Sequence, residues 1–116
     1  TLIRGGGGLS SSPGATTVEF DVTAAFPYVT LVTMVAPSPD WFVGVSALPL
    51  LASGEWRAEV VVELSLWDAG TDRGASYESD NADMVPAAPI ARLQTAPVLV
   101  NGSVHAFGRF IFRRLQ

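Results

Sequence analysis

The feature that most constrains this chain is the alternation along residues 56–67. Val60, Val62, Leu64 and Leu66 share one parity, and Arg57, Glu59, Glu63 and Ser65 share the other. Successive side chains of a strand point to opposite faces, so this pattern predicts a half-buried strand with an apolar inner face. Residues 17–23 carry the same signal, with Val18, Phe20 and Val22 against Thr17, Glu19, Asp21 and Thr23. Residues 28–36 (YVTLVTMVA) are largely β-branched and apolar, which predicts a strand buried on much of both faces. Residues 41–50 read as a strand with an irregular tail, and residues 104–115 as a last strand after the Asn101-Gly102 turn. Two prolines in Pro37-Ser38-Pro39-Asp40 and the glycine turn at Ala52-Ser53-Gly54-Glu55 separate these runs. No segment carries a helical period. Short strands divided by turn signals define an all-β chain, expected as an antiparallel β-sandwich with long loops at one end.

Composition removes several functions. With 116 residues there is room for one domain. Seven Lys and Arg against eleven Asp and Glu give a net charge of −4, and no basic run exists to neutralise phosphates, so nucleic acid is not an expected partner. The absence of cysteine removes disulfides, thiolate metal sites and thiol nucleophiles together. No apolar run reaches the roughly 18 residues that a membrane helix needs, so the chain is expected not to be transmembrane. Residues 1–16, with Gly5-Gly6-Gly7-Gly8 and Ser10-Ser11-Ser12-Pro13-Gly14, read as a flexible lead-in to a domain over 17–116. The glycine tract is no phosphate loop, because neither Lys-Ser/Thr nor a helix pattern follows it. The chain starts at Thr1 with no signal peptide, which suggests processing or a piece of a longer protein.

The chemistry concentrates in two loops. Asp68, Asp72, Glu78, Asp80 and Asp83 fall in the long polar stretch 68–89, and Asp40 ends the loop before residue 41. If 28–36 runs up, 41–50 runs down and 56–67 runs up again, Asp40 and Asp68 emerge at the same end. Gly70 and Gly74 let the backbone of Asp68-Ala69-Gly70-Thr71-Asp72-Arg73-Gly74 fold back so that both carboxylates face one point. Converging carboxylates need a cation or a proton. Calcium accepts six to eight oxygen ligands at flexible geometry; magnesium is more demanding, and a chain with His105 alone and no Cys does not suit softer metals. Aspartate is also an ordinary turn residue, and from spacing alone the two readings weigh equally.

Ser38-Pro39-Asp40-Trp41-Phe42-Val43-Gly44-Val45, followed by Trp67-Asp68-Ala69-Gly70-Thr71-Asp72-Arg73-Gly74, closely resembles the spondin domain of the F-spondin and mindin type. Tyr77-Glu78-Ser79 and Pro89-Ile90-Ala91-Arg92-Leu93 fit the same family in the same order. The resemblance runs from about residue 16 to the C-terminus and covers the C-terminal portion of that domain, so the family's N-terminal strands are expected to be missing. It implies a C2-like β-sandwich with a calcium ion held by Asp40, Asp68 and Asp72. Animal members usually carry a cysteine near Leu51, and the family often continues E-S-P-N where this chain has Glu78-Ser79-Asp80-Asn81.

Other candidates fall to simpler readings. Trp41, Trp56 and Trp67 could form a sugar-stacking surface, but tryptophans more often pack, and Trp41 and Trp67 flank the acidic loops. His105 has no nucleophile elbow and no acid partner in the sequence. A glycosidase pair would need a carboxylate left over from the metal. Arg109, Arg113 and Arg114 make a solvated strand end. Asn101-Gly102-Ser103 is a glycosylation sequon on a turn. The expected function is non-enzymatic: a secreted, extracellular or cell-surface calcium-binding adhesion module that recognises a protein or matrix ligand. The alternative is a structural subunit, a homo-oligomer or a chain completed by a partner's strands.

Overall fold

A computed structural model describes residues 1–116. The chain is all-β and its strand pairs are antiparallel, as the alternation predicts. There is no helix, hence none long and apolar enough to cross a membrane. Ten strands follow in order: β1 (Tyr28–Met34), β2 (Trp41–Pro49), β3 (Leu51–Ala52), β4 (Glu55–Trp56), β5 (Glu59–Leu64), β6 (Trp67–Asp68), β7 (Ala91–Arg92), β8 (Leu99–Val100), β9 (Ser103–Val104) and β10 (Gly108–Arg113).

One sheet has the order β1-β2-β6-β7, and β10 pairs with β5 in a second. Two short hairpins, β3-β4 and β8-β9, close on Ser53-Gly54 and Asn101-Gly102. Both central residues of each turn have positive φ, the conformation whose twist matches the flanking strands.

The core lies where the two sheets meet. Trp41 and Val43 of β2, Leu64 of β5, Leu66 and Val98 are buried together, with Val45, Val62 and Phe110 packed against them. The parity read from the sequence is therefore correct for Val60, Leu64 and Leu66, all buried, and Val62, partly so. One detail differs. Residues 56–67 are not one strand: β5 belongs to the second sheet, and the chain crosses at Ser65-Leu66 to place β6 beside β2. Leu66, 1% exposed, is buried at this crossing.

Two other strand expectations are corrected. Residues 17–22 form no ladder; the only bridge nearby is Thr23 with Phe26, and Val18 is 41% exposed. Alternation supplies a strand-ready face, but a strand also needs an edge to bond. Residues 28–36 are not buried on both faces. β1 is the outermost strand of its sheet, with Tyr28, Val32 and Met34 at 65%, 63% and 76% exposure. Its apolar outer row continues across the sheet through Phe42, Trp67 and Ile90 around a shallow open depression. An apolar run reports affinity for cover, not the presence of it.

Candidate functional site

The loop from β1 to β2 is fixed before it delivers its carboxylate. The Val35 amide donates to the Trp41 carbonyl at 3.0 Å. The Ser38 hydroxyl donates to Val35 O at 2.5 Å and accepts from the Trp41 amide at 3.1 Å. These three bonds close the turn, so Asp40 leaves it in a set direction. Across the sheet Trp41 pairs with Asp68, and the Ala69 amide donates to Asp40 O at 3.3 Å. Asp40 and Asp68 thus lie at one end of the β2-β6 pair, where strand direction places them.

The second loop is built from a repeated Asp-x-Gly unit. Asp68 Oδ1 accepts from the Gly70 amide at 2.7 Å, and Asp72 Oδ1 accepts from the Gly74 amide at 2.7 Å. Each carboxylate folds onto the backbone two residues on, the usual Asx turn. Gly70 has φ +78°, and a Cβ there would lie 2.2 Å from Ala88 O. The Ala88 amide returns a bond to Gly70 O at 2.8 Å. At Gly74 a Cβ would meet the Pro39 ring at 2.6 Å, so the glycine lets the two loops touch.

Asp40 joins the loops through its side chain. Its Oδ2 accepts from the Thr71 amide at 2.6 Å, the Thr71 hydroxyl at 2.9 Å and the Asp72 amide at 3.0 Å. Its Oδ1 is buried and has no hydrogen-bond partner. Asp68 keeps Oδ2 free of protein donors. Asp72 is the buried charged residue of the chain, at 6% exposure, and its Oδ2 also accepts from the Ala82 amide at 3.2 Å. Bonds from Arg73 N to Ala82 O and from Met84 N to Thr71 O tie the returning loop to the same point.

The three aspartates are brought to one end of the sheet and linked through backbone, but no three carboxylate or imidazole groups converge on one point. Asp80 and Glu78 lie on the exposed outside of the loop, and Asp83 accepts from Asn81 Nδ2. Thr71 is a site residue the sequence reading did not single out. Its signal was its place between the two aspartates, where one residue can offer both an amide and a hydroxyl. Tyr77 was missed likewise; it meets Trp41 edge-on, with ring centroids 5.4 Å apart.

The tryptophans form no common surface. Trp41 is 1% exposed in the core, Trp67 lies in the outer row of the sheet, and Trp56 is in the β3-β4 hairpin. His105 is exposed and donates its amide to Val98 O, away from the aspartates.

Removing the Asp72 carboxylate strands the amides of Gly74 and Ala82. Asp72→Ala should lower stability by about 2 kcal/mol, and Asp72→Asn by less because one acceptor oxygen remains. Urea unfolding in the presence of chelator checks this apart from any metal effect.

Fold and site together define an antiparallel all-β domain with a carboxylate-bearing loop cluster at one sheet end. The chain belongs to the Spondin_N family, whose model matches residues 1–105. In place of a C-terminal portion beginning near residue 16, the match is to Spondin_N and takes in the lead-in from residue 1. Rat Spondin-2 (Rattus norvegicus) is 33% identical over 106 residues, 91% of this chain and 31% of the relative. Human Spondin-2 (Homo sapiens) is 32% identical over 106 residues, 91% of this chain and 30% of the relative. Chicken Spondin-1 (Gallus gallus) is 44% identical over 80 residues, 68% of this chain and 10% of the relative. The chain spans less than a third of the length of these relatives.

Proposed function

We propose that this chain is an extracellular recognition module whose loops 36–40 and 68–89 are ordered by calcium held by Asp40, Asp68 and Asp72. The observation that carries the reading is Asp40. One carboxylate oxygen takes three donors while the other is buried with none. A buried polar atom without a partner is costly, and a hard cation is one group that satisfies it. Asp68 Oδ2 takes no protein donor. Asp72 spends one lone pair on each oxygen and retains acceptor capacity. The three carboxylates do not converge on one point, so calcium would have to draw Asp68 and Asp72 toward Asp40 Oδ1, with loop carbonyls and water completing its shell.

The module acts by binding and not by catalysis. Asp40 and Asp72 are engaged by loop backbone, and His105 lies elsewhere with no acid beside it. The long loop 68–89 presents exposed polar groups on a fixed base, a form suited to recognising a protein or cell-surface ligand.

Thermal unfolding with calcium and with chelator tests the metal. A ligand that binds the folded state alone adds about 2.7 kcal/mol at one hundred times its Kd, so Tm should rise by several degrees. The rise should vanish in the Asp68→Ala/Asp72→Ala double variant. An unchanged Tm in protein first stripped of metal contradicts the calcium reading.

A further inference from the structure

The strand-patterned segment 17–23 has no ladder, and β1 has an edge with no strand. The bonds from Val35 N to Trp41 O and from Leu50 N to Pro27 O fix which residues face β2. By alternation along the ladder, the amides and carbonyls of Tyr28, Thr30, Val32 and Met34 point to the open side. β1 carries no charge, proline or glycine to protect its exposed edge, and its ladder with β2 has a single irregularity, between Val29 and Leu31. The opposite edge strand, β7, is two residues long and contains Arg92.

The segment does not fold back onto its own β1, and the turn explains why. Phe26 N donates to Thr23 O at 2.9 Å, closing a turn on Ala24-Ala25. Neither alanine has positive φ, whereas both residues of the Ser53-Gly54 and Asn101-Gly102 turns do. Two-residue turns of negative φ splay the strands they join, and closed hairpins need the mirror-image types. The pattern is present, the edge is present, and the connection holds them apart.

We infer that two copies of this chain associate by reciprocal strand addition, residues 17–23 of each lying along the open β1 edge of the other. The exchange is two-fold symmetric and closed, because each copy gives one strand and receives one. Parity supports the pairing. With Val18, Phe20 and Val22 in the row of Val29 and Leu31, the apolar side of the segment continues the partly buried side of β1. Glu19 and Asp21 then fall in the outer row, giving the new edge strand the charge that β1 lacks. The chain exposes 8706 Å², against about 6,100 Å² for a folded protein of its mass, and the uncovered segment and β1 edge contribute to that excess alongside the exposed lead-in.

Sedimentation equilibrium of the 116-residue chain over a concentration series tests this. The expected mass is twice 12.2 kDa. Two substitutions should each return it to the single-chain value. Val32→Pro removes an amide on the open edge and leaves the β1-β2 ladder intact. Phe20→Asp spoils the donated strand at a position outside the core, so misfolding cannot account for its effect. Hydrogen exchange should show the Val32 and Met34 amides protected in the native chain and open in Phe20→Asp. A monomeric native chain overturns the proposal and leaves the edge for a different polypeptide. A dimer that survives both substitutions overturns it as well, and a mass above two copies overturns the closed exchange.

Discussion

Trp41→Ala is expected to cost about 3–5 kcal/mol, the usual range for truncating a fully buried aromatic residue. Trp41 is 1% exposed and belongs to a core of five mutually packed buried residues. Its loss opens a cavity beside Val43, Leu64, Leu66 and Val98, and removes the edge-on contact with Tyr77. Single domains have roughly 5–15 kcal/mol in total, and a core this small places the chain toward the low end. The variant should therefore be substantially unfolded at room temperature. Trp41→Phe separates packing from polarity. It keeps a ring against Tyr77 and removes the indole Nε1, which is buried without a partner. Its cost should be well under half that of the alanine variant. Urea denaturation of the three proteins gives the comparison.

The second large effect is at Gly70. An alanine there must adopt φ near +78°, which costs an L-residue about 1–2 kcal/mol. Its Cβ would also lie 2.2 Å from Ala88 O and 2.8 Å from Ala88 C, both backbone atoms that cannot rotate away. The loop must shift, breaking the Ala88 N to Gly70 O bond and loosening the Asp68 turn. The total should reach about 3 kcal/mol or more. Gly54→Ala is the control. Gly54 has φ +79° and nothing within 4 Å of a Cβ, so it should show the backbone term alone, about 1 kcal/mol. Equal losses at the two positions would mean that the approach of Ala88 is immaterial.

Much of this architecture was legible because strand parity and turn chemistry act locally. The inner row Val60, Leu64, Leu66 and the Asn101-Gly102 hairpin follow from residues within a few positions of one another. The meeting of Asp40 with Asp68 followed from strand direction, which survived even though the chain changes sheets at Ser65-Leu66. What failed depended on partners. Val18, Phe20 and Val22 have the right side chains and no ladder, and Val32 and Met34 have the right side chains and no cover. Neither fact is written in a strand's own residues. In the site, the carboxylates were readable as residue types, but their division of labour was not. Which oxygen of Asp40 takes Thr71 and which is left without a donor depends on backbone positions 31 residues apart.

Most direct for the calcium reading is equilibrium titration of chelator-stripped protein with calcium, comparing the native chain with Asp40→Asn and Asp68→Asn. Saturable binding of one ion per chain, strongly weakened by either substitution, is the predicted result. No binding, or binding that neither substitution changes, would contradict it.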